Sequence, residues 1–318
     1  LTHGTLATLR FPQTWAASRI IDQQSHWRSI AKVFTYADFI KKPNDRSPQF
    51  GDHDAGRYLK FSRPLSEAGE DTLNHSHLAH LAQGIANTSA DHDENVNPES
   101  LLPTLGINRN QLSEAQAAFR DEDETTSHTI VRPGVWLSQT ERLWVAVRTF
   151  EPVQSDLTGH LHDDALTVEL SVDGHDVLVD PGTGVYTSDA TVRNQLRARH
   201  HHSTAGPSES HVNEQTDLFQ LSSIGKIDVL KSNSDSLSAT YRWDDWTLTR
   251  SVDTGNAQLV IEDNFDSNQP WQQVFIFHPD VSVNVIESND QTTVKLNLSD
   301  IEIMMHTNAP GAHISVDV

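Results

Sequence analysis

From about Thr129 to the end of the chain, apolar and polar residues alternate in short runs. Leu143, Val145 and Val147 form one such set, and Leu166, Val168, Leu170 and Val172 another. The same pattern runs through Val177 and Val179; Leu248, Arg250 and Val252; Leu259 and Ile261; and Val274, Ile276 and His278. A period of two places each set on one face of a strand, a spacing no helix can use. Turn formers (Asp173-Gly174, Thr254-Gly255-Asn256, Ser267-Asn268) interrupt the runs at roughly ten-residue spacing, the signature of an antiparallel sandwich. The text before this is different. Residues 15–40 carry Trp15, Ile20, Trp27, Ile30, Phe34 and Ala37 at helical spacing, closed by Pro43 and Asn44. A turn-rich loop runs from Ser47 to Arg57, residues 73–87 read as helix, and Asn87 to Asn97 as a polar loop. A short helix is expected over Gln111 to Phe119, with an acidic connector at Asp121 to Glu124. The expected class is α+β: a helical portion over residues 1–125 and a large antiparallel β-sandwich over 126–318.

Composition narrows the function. Asp and Glu number 44 against 23 Lys and Arg, a formal charge of −21. Nucleic-acid binders show the opposite balance, so no nucleic-acid partner is expected. No run reaches the roughly 18 apolar residues of a membrane helix, so no membrane span is expected. There is no cysteine, which excludes disulfides, thiolate nucleophiles and Cys-based metal sites. Leu1 to Phe11 lacks the basic and apolar regions of a signal peptide. The 18 histidines gather around His75 to His92 and His160 to His202. His75, His77 and His80 stand at i, i+2 and i+5, which puts no pair on one helix face at ligand spacing, and they read as surface residues.

The second histidine group carries chemistry. It opens with Gly159-His160-Leu161-His162-Asp163-Asp164, continues through an apolar strand, and turns at Gly174 into a second strand over His175 to Asp180. If the first strand begins early, His160, His162 and Asp164 share one of its faces. Tyr186, Arg193, Arg197, Arg199 and His200-His201-His202-Ser203-Thr204 follow. Imidazoles and a carboxylate converging on a rigid sheet suit Zn²⁺. For any single histidine, a half-solvated surface position is the simpler reading, but His160 and His162 stand too close together for that to be comfortable.

The segment resembles the C-terminal β-domain of heparinase II/III-like polysaccharide lyases. Their pattern of Gly-His-x-His-x-Asp, Leu-Val-Asp-Pro-Gly, a Tyr, an Arg-bearing segment and His-Asn-Thr stands here as Gly159 to Asp164, Leu178 to Gly182, Tyr186, Arg193 to Arg199 and His202 to Thr204. Upstream, Gly51-Asp52-His53-Asp54-Ala55-Gly56-Arg57 resembles the stretch ending the family's helical α/α toroid, and Phe275 to Asp280 resembles a late strand. The resemblance implies that the helical portion is an incomplete toroid. It puts His162, Asp180 and His202 on structural zinc ligands, and His160 on the histidine facing the substrate cleft, with Tyr186 as its catalytic companion. Arg193 and Arg197, with Arg199, would hold a uronate chain; ordinary surface charge is their alternative. The implied compartment is the periplasm or the exterior.

Two departures bear on this. Ser203 replaces the family's Asn and two extra histidines precede His202, so His200 competes with it as third ligand. The family's toroid also carries catalytic Asn, His and Tyr residues well before the Gly-Asp stretch, and residues 1–50 contain no match for them. The chain is then either a C-terminal piece or a relative without that machinery. The resemblance implies β-elimination on an acidic, uronic-acid polysaccharide. A carbohydrate-binding or assembly protein that kept the sandwich, and a hydrolase using metal-bound water, are the other readings.

Overall fold

A computed structural model describes residues 31–33, 35–53, 71, 73–75, 117, 131–132, 134–150, 159–208, 218–219, 221, 225–255, 258–287, 292–298 and 301–307. Every strand pairing among them is antiparallel. β1 (Val131–Arg132), β2 (Val135–Gln139), β3 (Leu143–Arg148), β4 (Val168–Val172) and β5 (His175–Leu178) form a five-stranded sheet in chain order. β7 (Lys226–Ser232), β8 (Ser236–Trp243), β9 (Trp246–Asp253) and β10 (Val260–Asp266) form a second sheet. β6 (Ala205–Pro207) pairs with β11 (Trp271–Gln273), and β12 (Ser282–Glu287), β13 (Thr292–Leu298) and β14 (Ile301–Thr307) make a meander.

The period-two pattern explains the layers. Leu143, Val145 and Val147 of β3 and Val168, Leu170 and Val172 of β4 face a core shared with Leu237, Tyr241, Trp246, Leu248 and Val252 of the second sheet. Burying such side chains stabilises the sandwich by about 1.5–3 kcal/mol each. The residues between them are buried too: all six residues of β3 and all five of β4 are covered. The cover on the outer face is the segment ending in residue 53. Tyr36 and Phe50 pack on Trp144 and Ala146. Lys42 reaches into the same face, ion-paired to Glu169 of β4 and 3.2 Å from Asp176 of β5.

The β4–β5 hairpin expected at Gly174 is present, with Asp173 and Gly174 both at positive φ, as a two-residue turn requires. Residues 31–33 and 35–39 are helical, the last turns of the expected 15–40 helix. Residues 73–75 are not helical; Asn74 bridges to Arg46 instead, so no helix begins at 73. The Asn87 to Asn97 loop, the domain boundary near 125 and, apart from residue 117, the Gln111 to Phe119 helix lie outside the described residues. Val274, Ile276 and His278 do not form a regular strand. That stretch lies along β5 through a Leu178–Phe277 bridge and the Val179 N–H to Ile276 carbonyl bond. Among the described residues, no helix is long and apolar enough to cross a membrane.

Candidate functional site

β4 begins only at Val168, so His160, His162 and Asp164 do not share a strand face; this expectation is corrected. They lie on the loop leading into β4, whose curvature sends His160 outward and His162 and Asp164 inward. Leu166 holds a left-handed backbone, φ 59°, costly for a branched side chain. Internal arginines hold this loop in place. Arg148 pairs with Asp164 at 3.2 Å and Arg199 with Asp163 at 3.1 Å. Arg250, at a core-facing position of β9, donates Nη1 to the carbonyls of both Leu166 and Ser203 at 2.8 Å and grips Asp263 with the rest of its fork.

His162, Asp180 and His202 come together fully buried, each offering a ligand atom within 4.8 Å of the others. Asp180 follows β5, its Oδ1 accepting the Gly182 N–H at 2.9 Å. His202 follows the 3₁₀ turn Arg199–His201, its Nδ1 2.7 Å from Asp180 Oδ2. His162 Nδ1 and His202 Nε2 are buried with no hydrogen-bond partner in the described structure. Two orphaned imidazole nitrogens beside a carboxylate fit a divalent cation of the zinc type, because an unmet buried nitrogen is otherwise costly. Burial opposes charge on His202, but Asp180, Asp164 and Asp163 outweigh it and raise its pKa, a field that also favours a cation. His200, the competing ligand, sits on the 3₁₀ turn with Nδ1 3.2 Å from Gln272 Nε2 and lies outside the cluster.

Next to this cluster stands the expected catalytic pair. Tyr186 Oη is 2.9 Å from His160 Nδ1, and the His160 side chain is 67% exposed. His160 also lies against a carboxylate that the sequence did not single out. Asp52 Oδ2 is 3.4 Å from His160 Nδ1, and Asp52 Oδ1 is 2.9 Å from His162 Nε2. Burial works against a charge on Asp52, yet hydrogen bonds from His162 and Arg193 outweigh it and hold its carboxyl well below the usual range.

The arginines are not where a substrate would meet them. Arg193 and Arg197 have no exposed surface. Arg193 grips Asp52 through Nη1 and Nη2 at 3.0 and 2.7 Å, its guanidinium between the rings of Tyr186 and Phe219. Arg197 Nη1 donates to the Leu218 carbonyl at 2.7 Å. Burial and internal partners make them braces, correcting the expectation that they bind a uronate chain. Arg193 stands on α1 (Ala190–Leu196), capped by Asp189, which accepts from the Thr191 and Val192 N–H groups. Asp52 was missed because only the Gly51-Asp52 motif marks it, and its partners lie more than a hundred positions away.

Two larger antiparallel sheets around a shared core, with a buried His/Asp/His cluster near the exposed His160 and its half-buried partner Tyr186, make a β-sandwich domain with a candidate metal site. The family described as Heparinase II/III-like, C-terminal, matches residues 134–317, and the chain belongs to it. Among solved structures it is similar to the heparan sulfate lyase HepC from Pedobacter heparinus, at 15% identity and a TM-score of 0.53, over 86% of this chain and 39% of that one. A heparinase III gives 14% identity and a TM-score of 0.49, over 86% of this chain and 38% of the other. The chain thus spans about two-fifths of the length of these lyases. No curated protein matches the sequence.

Proposed function

We propose that this chain is the β-sandwich part of a polysaccharide lyase that cleaves a uronic-acid polymer by β-elimination, outside the cytoplasm. The observation that carries the reading is the His160–Tyr186 pair, 2.9 Å apart and open to solvent above a buried metal-type cluster. In β-elimination the proton beside the uronate carboxylate is removed, a carbon–carbon double bond forms, and the glycosidic C–O bond breaks with the proton going to the leaving oxygen. Such a proton is weakly acidic, so a base near neutral pKa and neutralisation of the carboxylate are both needed. His160 has the exposed imidazole for either role. Tyr186 holds or relays a proton at its Nδ1, and Asp52 lies behind it as a fixed negative charge. Zn²⁺ on His162, Asp180 and His202 would supply rigidity beneath the pair.

A second reading is a carbohydrate-binding or exopolysaccharide-assembly protein that retains the sandwich. Ultraviolet absorbance of the unsaturated uronate product separates the two. A rise on one of a panel of uronate polymers, absent in His160→Ala, supports the lyase. No rise from folded, zinc-loaded protein means that this chain lacks the catalytic half, as a fragment or a binding relative, and the same assay on the longer gene product then separates the two.

A further inference from the structure

Asp52 has four contacts on one buried carboxylate, and they assign the two nitrogens of His162. Nε2 lies 2.9 Å from Asp52 Oδ1. Arg193 already donates both terminal nitrogens to the same carboxylate, so Asp52 can serve only as an acceptor and His162 must donate. A ring that carries its proton on Nε2 has its lone pair on Nδ1. That is the nitrogen left buried and unpartnered in the described structure.

We infer that Asp52 is the positioning residue of the metal centre, fixing His162 in the Nε2–H tautomer so that Nδ1 binds the cation. The inference rests on the proposal that His162, Asp180 and His202 hold Zn²⁺. A carboxylate behind a ligand histidine orients the ring and strengthens it as a donor. What is unusual is its origin. His162 lies on the sandwich loop, whereas Asp52 comes from the segment that covers the outer face of the five-stranded sheet, 110 positions earlier. That segment is clamped at this point. The Gly51 N–H donates to Asp164 Oδ2 at 3.0 Å, the Asp52 N–H to the His160 carbonyl at 2.9 Å, and the His53 N–H to Thr183 Oγ1 at 2.7 Å. Gly51 has φ +72°, and a Cβ there would meet the His160 carbonyl oxygen at 2.6 Å, so this approach demands glycine. The cation site is therefore completed by a residue from outside the sandwich, and affinity for the ion and docking of residues 42–53 are linked in both directions.

The test uses the whole chain and Zn²⁺. Competition against a chromophoric chelator compares wild type with Asp52→Asn, with circular dichroism as the folding control. In parallel, ring ¹⁵N shifts of zinc-loaded wild type, with His162 identified by difference from His162→Gln, report which nitrogen carries the proton. We expect one Zn²⁺ per wild-type chain, binding weakened about 10- to 100-fold in folded Asp52→Asn, and His162 protonated at Nε2. Equal affinity in folded Asp52→Asn, or metal on Nε2 of His162, overturns the inference while leaving the zinc reading intact. Absence of Zn²⁺ binding by wild type overturns both. If Asp52→Asn does not fold, the wild-type tautomer alone decides.

Discussion

Tyr186 Oη lies 2.9 Å from Nδ1 of His160, a contact made across 26 positions by a loop and the turn after β5. The Tyr186 ring also stacks on the Arg193 guanidinium, 4.8 Å from its centroid. Phenylalanine at 186 keeps that stacking and loses only the hydroxyl. If the pair performs elimination, Tyr186→Phe lowers kcat about 10²- to 10⁴-fold on the polymer that wild type cleaves, with unchanged zinc content and thermal midpoint. Lyase rates and metal analysis on the same preparation check this.

Zinc stabilises the fold if the cluster binds it only when folded. At a free concentration 100 times Kd the gain is about 2.7 kcal/mol. For a chain of this size that raises Tm by roughly 4 °C. Scanning calorimetry with and without chelator measures the shift, and His202→Ala is expected to abolish it.

Arg250 ties the second sheet to both halves of the site through Leu166 and Ser203. Its side chain and that of Asp263 are almost wholly buried, at 0% and 2% exposure. Arg250→Met leaves Asp263 as an uncompensated buried charge and is expected to cost about 3–5 kcal/mol. Urea unfolding midpoints read the loss; a change under 1 kcal/mol would show that the brace is dispensable.

Lys42 is one cation serving two buried carboxylates. Burial pushes Glu169 up to about 7, against the pull of Lys42. Burial opposes charge on Asp176 too, but Lys42, Ser171 and Asn44 outweigh it and hold it low. Glu169 therefore binds more proton folded than unfolded between its unfolded value of 4.5 and about 7. Its contribution is complete below the lower limit and is lost as pH rises through the upper one. Asp176 has the opposite sign, its contribution being lost as pH falls through its lowered pKa. Across that window wild type is expected to lose about 3 kcal/mol relative to Glu169→Gln. Parallel pH-dependent melts show it as converging or diverging midpoints.

The sandwich was legible because its signal is local. Alternation over five to eight residues and two-residue turns such as Asp173-Gly174 state strands and hairpins without any distant partner. The same alternation misled at its edges. Carried back to His160, it put a strand where the chain curves through Leu166 at positive φ, a conformation no apolar pattern announces. Arg250 occupied a core-facing phase in the sequence, but its partners at 166, 203 and 263 could not be read from that phase.

The sequence by itself determined the antiparallel architecture and carried the motifs of the family, whose resemblance pointed to His162 and Asp180 with His200 or His202 beside them, because strand period and motif spacing are properties of neighbouring residues. Only the tertiary structure decided which groups face solvent and which face one another. It buried Arg193 and Arg197, chose His202 over His200, and placed Asp52 against His162. Those outcomes depend on charges brought together across more than twenty and up to 141 positions, where a buried ion must find its counter-ion and no local pattern records which one it finds.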